Sequence, residues 1–311
     1  MQIAFIVDPL HTLTAYKDSS VAMMREAARR GHAVFAILRD QLFWKDGATC
    51  AIAHQLEVCD DNTDWVREVG SAEYALTHFD AVLMRQDPPF DFEYITATWL
   101  LSRAEEAGAR IINRPSAIRD HNEKLAITEF PQFIAPTQVS REMDALQAFI
   151  EMHQDCIVKP LDGMGGAQVF RITGSDPNRN VILETLTRGG TRSIMAQRFI
   201  PAISEGDKRI LLINGEVVPH ALARIPKAGE TRGNLAAGGR GVVMPLTPRE
   251  NEIAQFLAPI LAARGLMIVG LDVIGGFLTE INVTSPTCFV EIGREAGYNV
   301  AARVIDALER I

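Results

Sequence analysis

The sequence of 311 residues has few cysteines and few aromatic residues, and it has no excess of positive charge. Its four cysteines are scattered without a C-x-x-C pair, so their spacing predicts neither a zinc site nor a redox motif and fits a reducing compartment. The formal net charge of −8 argues against a nucleic-acid-binding protein, which needs a basic face. An acidic protein that handles anionic ligands must gather its cations locally, so the positions of lysine and arginine are informative.

Long apolar runs are also absent. No stretch of about 18 uncharged apolar residues occurs, so no membrane-spanning helix is predicted. The N-terminus enters the short apolar run QIAFIV without a basic region before it, which is unlike a signal peptide. We therefore expect a cytoplasmic protein that binds neither membrane nor nucleic acid.

The first third of the chain alternates predicted strands with predicted helices. The strands are QIAFIV, AVFAIL, DAVLM and RIIN, and the two helical patterns between them indicate a parallel sheet covered by helices. Ser19 and Ser20 are expected to cap the first helix, which ends at Gly31. Residues 40–78 are less regular and predict little.

The alternation of predicted strands and helices ends near residue 115. A short helix, IRDHNEKLAITEF, leads into a linker-like segment, and strands dominate from about residue 155. The Asn-Gly pair at 214–215 predicts a hairpin between two of these strands. The pattern predicts an α/β unit followed by α+β material.

Residues 157–170, IVKPLDGMGGAQVF, combine a lysine with a cluster of glycines. The usual phosphate-loop template does not fit because Lys159 precedes the glycines, and the dinucleotide fingerprint does not fit because no helical pattern follows. The alternating stretch AQVFRI predicts a second strand instead. We expect a β-hairpin with Lys159 at the end of one strand and Gly163, Gly165 and Gly166 in the turn.

Polar residues on two later predicted strands suggest a metal site. Glu280 and Asn282 are two apart, so on a strand both side chains lie on one face, and Asp272 on the partner strand can face them. Two carboxylates and an amide oxygen suit Mg²⁺, which prefers hard oxygen ligands. A second glycine-rich stretch lies at 228–241. The candidate cations are Lys124, Lys159, Lys208, Arg209, Arg224, Arg232 and Arg240.

Each of these features also has an ordinary structural explanation. Lone lysines are mostly solvated, glycines in a hairpin mostly serve turns, and an acidic residue near a strand end is usually only exposed. The order of lysine, glycine loop, second glycine loop and the trio of Asp272, Glu280 and Asn282 along one chain is more specific than any of them alone.

Taken together, these motifs resemble those of ATP-grasp ligases, and among them the bacterial glutathione synthetase family. The resemblance is carried by KPLDGMGG at 159–166, LARIPKAGETRGNLAAGGRG at 222–241 and TEINVTSPT at 279–287, with MRQDPPFD at 84–91 toward the N-terminus. It covers nearly the whole chain and is weakest at 40–78. It implies an ATP-grasp fold, with α/β and α+β parts. The implied units are a Rossmann-like α/β domain at 1–119, a small ATP-grasp lid subdomain at 120–200 and a C-terminal ATP-grasp subdomain with the metal site at 201–311.

The resemblance implies an enzyme that uses ATP to join the carboxylate of γ-glutamylcysteine to the amine of glycine through an acyl phosphate. Mg²⁺, with Mn²⁺ as an alternative, and a homotetramer are implied as well. Arg209 and Arg224 would offset charge on the transferring phosphoryl group, and Asp272, Glu280 and Asn282 would bind the metal. The implied nucleotide contacts are Lys124, Lys159, Gly163, Met164, Gly165, Gly166, Gln197, Arg198, Phe199, Ile200 and Asp207. The implied substrate contacts are Asp18, Ser19, Arg85, Arg232, Asn234, Gly238, Gly239, Ser285 and Thr287.

Water would hydrolyse an acyl phosphate, so the site must close during the reaction. The polar, glycine-rich stretch 226–241 is the predicted lid, and a surface loop without a role is the alternative. Two other functions stay open. One is an ATP-grasp ligase with a different acid or amine, against which the N-terminal motifs and NVTSPT argue. The other is a protein that binds ATP without turnover, against which the complete trio of Asp272, Glu280 and Asn282 and the complete lid motif argue.

Overall fold

The computed structural model describes residues 1–163, 165–227, 229, 233 and 238–310. These residues form three β-sheets with helices packed on them. The strands are β1 (Gln2–Val7), β2 (Ala33–Leu38), β3 (Leu42–Lys45), β4 (Ala48–Val58), β5 (Val66–Ala75), β6 (Ala81–Met84), β7 (Ile111–Ile112), β8 (Thr137–Ser140), β9 (Asp155–Pro160), β10 (Phe170–Thr173), β11 (Ile194–Arg198), β12 (Asp207–Ile213), β13 (Glu216–Ile225), β14 (Arg240–Pro245), β15 (Ile268–Ile274) and β16 (Phe277–Asn282). The α-helices are α1 (Ser19–Arg29), α2 (Phe92–Glu106), α3 (Pro115–Asp120), α4 (Met143–His153), α5 (Arg179–Thr187), α6 (Pro248–Ala263), α7 (Phe289–Ala296) and α8 (Val300–Glu309). Within the described ranges no helix is long and apolar enough to span a bilayer.

The N-terminal sheet contains the predicted parallel strands in the order β2-β1-β6-β7. The prediction of a parallel sheet is confirmed for these strands but was incomplete, because β3, β4 and β5 extend the sheet with antiparallel pairs. These additional strands occupy the segment 40–78. Strand β5 is exposed over most of its length, so its sequence has no apolar alternation that would predict a strand.

The first helix begins one residue earlier than a serine cap would place it. Asp18 is the N-cap, and its Oδ1 accepts hydrogen bonds from the backbone N–H groups of Ser20 at 2.7 Å and Val21 at 2.9 Å. The prediction that Ser19 and Ser20 cap the helix was therefore wrong. A carboxylate caps as well as a hydroxyl does, and this register buries both serines.

The central sheet is antiparallel, in the order β10-β9-β11-β8. Helices α4 and α5 pack on it through a small core that includes Leu146, Ile150 and Leu183. Neither helix was predicted, and the single short helix expected before them is broken. It consists of α3 and a separate 3₁₀ turn at Leu125–Glu129, with Lys124 immediately before the turn.

The third sheet is also antiparallel, in the order β14-β13-β12-β15-β16. Asn214 and Gly215, with φ of 50° and 79°, form the predicted two-residue turn between β12 and β13. Alternation along β12 places Ile210 and Leu212 in the core under α6, whereas Leu211 belongs to the core shared with α7, α8 and the N-terminal sheet. Arg209 lies on the same face as Leu211, which directs it away from α6. The predicted domain boundary at 200 lies between β11 and β12, and the one at 119 lies inside α3.

Candidate active site

A cleft of about 890 Å³, partly open to solvent, lies between the central and third sheets. One wall is β9 with the loop after it, and the other is formed by the polar ends of β12, β15 and β16. Among the described residues, every predicted nucleotide contact lines this cleft. They are Lys124, Lys159, Gly163, Gly165, Gly166, Gln197, Arg198, Phe199, Ile200 and Asp207. Three predicted site residues, Met164, Arg232 and Asn234, lie outside the described residues, as does half of the predicted lid.

The first wall is the predicted glycine-rich hairpin. Strands β9 and β10 pair antiparallel, but Ala167–Val169 lie in the loop and not in the second strand as expected, so the loop spans 161–169. Gly165 and Gly166 have φ of 62° and 78°, a backbone region that glycine adopts without strain. A Cβ atom on Gly163 would lie 3.1 Å from Pro160 Cγ, which is closer than most real contacts. The loop conformation therefore depends on glycine at these positions.

Two buried lysines face one carboxylate across the cleft. Lys124 Nζ lies 3.4 Å from Glu280 Oε1, and Lys159 Nζ lies 3.7 Å from the same oxygen. Lys124 also donates to Gly163 O at 2.5 Å, and Lys159 donates to Thr279 O at 3.4 Å. Burial lowers the pKa of Lys159, although the charge of Glu280 opposes that shift. Because two cations share one anion, this part of the cleft carries a surplus of positive charge.

The second wall is the β15–β16 hairpin. Asp272 lies directly opposite Glu280 in the register, as the sequence predicted, and Gly270 lies opposite Asn282. Asn282 Nδ2 donates to Gly270 O at 3.2 Å, which leaves the amide oxygen for another partner. Burial would raise the pKa of Glu280, but Lys124 and Lys159 outweigh it and hold that pKa below its ordinary value. The wall is therefore anionic and hydrogen-bonded in place.

Two arginines hold Asp272. Arg209 donates from Nε to Oδ1 at 2.5 Å and from Nη2 to Oδ2 at 3.1 Å. Arg224 Nη2 lies 2.9 Å from Asp272 Oδ2 and 2.6 Å from Asp207 Oδ2. Burial would raise the pKa of Asp272, yet the two guanidinium groups outweigh it and hold the pKa well below its ordinary range. Asp272 is therefore ionised across the physiological pH range.

The donor set fits a divalent ion that shares its shell with other ligands. The arginines make three contacts with Asp272, and a carboxylate has about four lone-pair positions, so one position stays available. No cluster of three His, Cys, Asp or Glu side chains that could hold a metal occurs within the described part of the chain. An ion held by Asp272, Glu280 and Asn282 would therefore need water and phosphate oxygens to complete its coordination, which is the usual behaviour of Mg²⁺.

Asp207 offers an acceptor to the cleft. Its Oδ1 is buried and accepts no hydrogen bond from any described residue. Burial raises the pKa of Asp207 to about 6, and the charges of Asp272 and Glu280 act in the same direction against Arg224. Such an oxygen is costly to bury unless a ligand donates to it, so it suits a hydroxyl donor.

Lys208, one of the predicted cations, does not lie in this site. Lys208 donates to Glu250 Oε1 at 2.6 Å, and Glu250 lies on α6, which covers the opposite face of the third sheet. The physical reason is the alternation of side chains along β12, which separates Lys208 from Arg209. Its grouping with the other cations was wrong.

A second group of predicted residues meets next to the N-terminal sheet. The buried Arg85 donates from Nε to Ser20 Oγ at 3.2 Å and from Nη2 to Pro286 O at 2.9 Å, whereas its buried Nη1 has no acceptor among the described residues. Ser285 Oγ donates to Asp87. The Ser19 hydroxyl is buried and accepts from the Phe289 N–H at 3.2 Å. Arg85 Nη1 is therefore the buried polar atom of this group that has no hydrogen-bond partner among the described residues.

The remaining predicted substrate contacts have less distinctive surroundings. Asp18 caps α1, and Thr287 is exposed. A Cβ atom on Gly239 would collide with Gly233 O, so the backbone here requires glycine for close packing. Gly238 has a φ of 86°.

Sequence analysis missed Glu123 and Thr279. Thr279 acts through its backbone oxygen, which no side-chain pattern reveals. Glu123 is half-buried, and its carboxylate accepts from Thr284 Oγ1 at 2.8 Å. Its place next to Lys124, which the resemblance implies as a nucleotide contact, was the available signal.

Comparison with known proteins agrees with this geometry. The profile of the prokaryotic glutathione synthetase N-terminal domain matches residues 1–119, and that of the prokaryotic glutathione synthetase ATP-grasp domain matches residues 123–297. The chain is 58% identical over 313 residues to a glutathione synthetase of Nitrosomonas europaea, with coverage of 100% of this chain and 98% of the relative. It is 57% identical over 310 residues to that of Ralstonia nicotianae, with coverage of 100% and 96%. Among solved structures, the D-cycloserine synthetase DcsG matches with a TM-score of 0.67 at 16% identity, with coverage of 99% of each chain, which supports the fold alone. The chain therefore belongs to the prokaryotic glutathione synthetase family, and it is an ATP-dependent ligase with the ATP-grasp fold.

Proposed function

We propose that the enzyme joins γ-glutamylcysteine and glycine, with ATP converted to ADP and phosphate through an acyl phosphate. One observation carries this proposal. Buried Lys124 and Lys159 and a glycine loop face Asp272 and Glu280 across one cleft. That arrangement is suited to hold a triphosphate between cations and a metal-binding wall.

Three parts of the cleft bind the nucleotide. Lys124 and Lys159 bind the phosphates, and the loop at 163–166 approaches them closely because its glycines lack Cβ atoms. The segment 197–200 meets the adenine, where Ile203 and Ile274 add apolar surface. Asp207 Oδ1, which has no partner within the described part of the chain, accepts from a ribose hydroxyl.

The chemical obstacle is that a carboxylate is a poor electrophile with the wrong charge. Phosphorylation turns the γ-glutamylcysteine carboxylate into an acyl phosphate with a good leaving group, which the glycine amine attacks. Arg209 and Arg224 offset charge on the phosphoryl group as it transfers. One opposite charge at about 4 Å is worth roughly 4 kcal/mol at an effective dielectric constant near 20, before desolvation. Both arginines are already paired with carboxylates, so their positive charge is divided between those carboxylates and the phosphoryl group.

The metal is proposed to be Mg²⁺, with Mn²⁺ as an alternative. Asp272, Glu280 and Asn282 would hold it, because their oxygen atoms lie across one hairpin. When bound, such an ion neutralises charge on the β- and γ-phosphates and orients them for transfer.

The dipeptide is proposed to bind beside the N-terminal sheet. The buried Nη1 of Arg85 lacks an acceptor among described residues and would gain one from a substrate carboxylate. Ser285, Thr287 and Asp18 are the other proposed contacts on this side, and Ser19 supports them through packing. The stretch 226–241, with Arg232, Asn234, Gly238 and Gly239, is proposed to close over the acyl phosphate.

A homotetramer in the cytoplasm is proposed from the family resemblance. The four free cysteines fit a reducing compartment. Light scattering of the purified protein tests the tetramer.

The proposed reaction is tested by ADP release with γ-glutamylcysteine and glycine, each supplied alone and together. Strict dependence on both substrates, with glutathione as the product, supports the proposal. ADP release with a different acid or amine would indicate another ligase, and ATP binding without release would indicate a binding protein.

A further inference from the structure

Three consecutive residues, Asn122–Lys124, connect the two walls of the cleft, and we call them the junction. Asn122 Nδ2 donates to Leu161 O at 3.0 Å, at the start of the glycine loop. Asn122 Oδ1 accepts from the backbone N–H of Lys124 at 3.2 Å and from that of Leu125 at 2.9 Å. With the Lys124 contact to Gly163 O, the junction is attached to the glycine wall at two points.

Glu123 attaches the junction to the opposite wall. Its Oε1 accepts from Val283 N at 3.0 Å, Thr284 N at 3.2 Å and Thr284 Oγ1 at 2.8 Å. Its backbone oxygen accepts from Ile281 N at 2.8 Å. Strand β16 is the edge of the third sheet, so Glu123 satisfies donors that a neighbouring strand would otherwise take.

These contacts bear on where Lys124 lies. A lysine side chain has four rotatable bonds and no fixed direction, so its ammonium group is placed by its backbone and its partners. Glu123 accepts hydrogen bonds from the backbone N–H groups of Ile281 and Val283, which lie on either side of Asn282. Lys124, the residue after Glu123, reaches Glu280 with its Nζ atom at 3.4 Å. We propose that Glu123 is a positioning residue, which aligns Lys124 with the metal-binding strand so that both meet the nucleotide phosphates together. This inference rests on the proposed function.

Geometry, and not the charge of Glu123, explains where its carboxyl group lies. Among the described residues its three hydrogen-bond donors are all uncharged, and they converge on one oxygen atom. Burial raises the pKa of Glu123, although the Thr284 hydroxyl opposes the shift. The carbonyl oxygen of a glutamine can accept from the same donors, whereas alanine leaves them unpaired. The conservative variant should therefore preserve the alignment.

The experiment compares binding of a non-hydrolysable ATP analogue, in the presence of Mg²⁺, to the full-length wild-type protein, Glu123→Ala and Glu123→Gln by calorimetry. We expect Glu123→Ala to weaken binding by about tenfold or more and Glu123→Gln by roughly threefold or less, as expected from losing or keeping these hydrogen bonds. Glu129→Ala is the matched control, since Glu129 lies on the adjoining 3₁₀ turn and pairs with Arg264 instead. KM for γ-glutamylcysteine should stay within about twofold in all variants, because positioning of Lys124 concerns the nucleotide.

Equal binding by wild type and Glu123→Ala would overturn the inference, and so would equal weakening in the alanine and glutamine variants. If Glu123→Ala does not fold, Thr284→Val decides, because it removes the hydroxyl that donates to Glu123 Oε1. Weaker analogue binding by Thr284→Val supports the contact, and binding equal to that of the wild type overturns it. Failure of the wild-type protein to bind the analogue would refute the proposed function itself.

Discussion

The two hairpins that wall the cleft are built differently. In β15–β16, Gly275 and Gly276 alone connect the strands, and Asp272 and Glu280 are paired with buried cations. In β9–β10, residues 161–169 separate the strands, and most of this loop's described side chains are exposed or half-buried. One wall is a fixed set of charges, and the other is an extended loop whose backbone can approach a ligand.

The difference corresponds to two requirements of phosphoryl transfer. Charge stabilisation is most effective when the groups are preorganised, because they then need no rearrangement as charge develops. Covering a triphosphate needs backbone N–H groups that come close to oxygen atoms, which favours glycine. We therefore expect substitutions in the β15–β16 hairpin, the acidic hairpin, to affect stability or turnover. Substitutions in the β9–β10 hairpin, the glycine hairpin, should affect nucleotide affinity.

The largest effect is expected from Asp272→Asn. Arg209 and Arg224 would lose their shared buried carboxylate, and breaking such a pair costs about 3–5 kcal/mol of unfolding free energy. Asp162→Asn, in the glycine hairpin, is the control, because Asp162 is exposed and pairs with Arg192 at the surface, where the loss is below about 1 kcal/mol. Urea unfolding measures both, and similar losses in the two variants would contradict the comparison.

Glu280→Gln should lose turnover while the fold survives. Its carboxylate faces Lys124 and Lys159 and is a proposed metal ligand, so kcat should fall by roughly 100-fold or more, as for other preorganised charge-stabilising groups. Glu250→Gln makes the same chemical change at a buried residue on the opposite face of the third sheet, and it should leave kcat unchanged. Steady-state ADP release and circular dichroism provide the measurements. Wild-type kcat in Glu280→Gln would show that the metal assignment is wrong.

A pair of glycine variants separates the two hairpins more finely. Gly165 and Gly276 both have positive φ, so alanine at either should cost about 1 kcal/mol of stability. Only Gly165→Ala should also raise KM for ATP, by roughly tenfold, since it removes a close approach to phosphate. At Gly276 the new Cβ would meet Arg249 Cγ at 3.0 Å, outside the cleft. Equal KM values for the two variants would count against a phosphate-covering role for the loop.

The smallest effect concerns pH. The pKa of Asp207 is raised to about 6, so its carboxylate is protonated below that pH and ionised above it. Because the ionised form is the better acceptor for ribose, KM for ATP should rise about fivefold, or ~1 kcal/mol, as pH falls through 6. Asp207→Asn should remove this dependence, whereas titration of ATP itself affects both proteins equally. Identical pH profiles for KM would exclude the proposed contact.

Much of the fold was predictable where a strand is a continuous apolar run that is buried on both faces. The parallel strands β1, β2 and β6 are apolar runs of this kind, and the Asn214-Gly215 turn has its own backbone signature. Strand β5 was not predictable because both of its faces are exposed. Helix α5, RNVILETLT, is short and lies between strands, so local patterns gave it little weight.

The site was predictable to the extent that a motif specified neighbouring residues. Asp272 and Glu280 face each other because a short hairpin requires it. Lys208 was assigned to the wrong place, because a list of cations ignores the face of the strand on which each side chain lies. Glu123 was missed, because a glutamate in a polar segment suggests a surface residue. Only the structure shows that it lies against the edge strand β16. Contacts between distant segments carry this information, and local sequence does not.

A crystal structure with ADP and Mn²⁺, in which anomalous scattering locates the metal, tests the proposed cleft most directly. We predict a manganese peak within roughly 2.0–2.3 Å of oxygen atoms of Asp272, Glu280 or Asn282 and of the nucleotide phosphates, with Lys124 and Lys159 on the same phosphates. A nucleotide bound elsewhere, or a metal held without Asp272 and Glu280, would contradict this prediction.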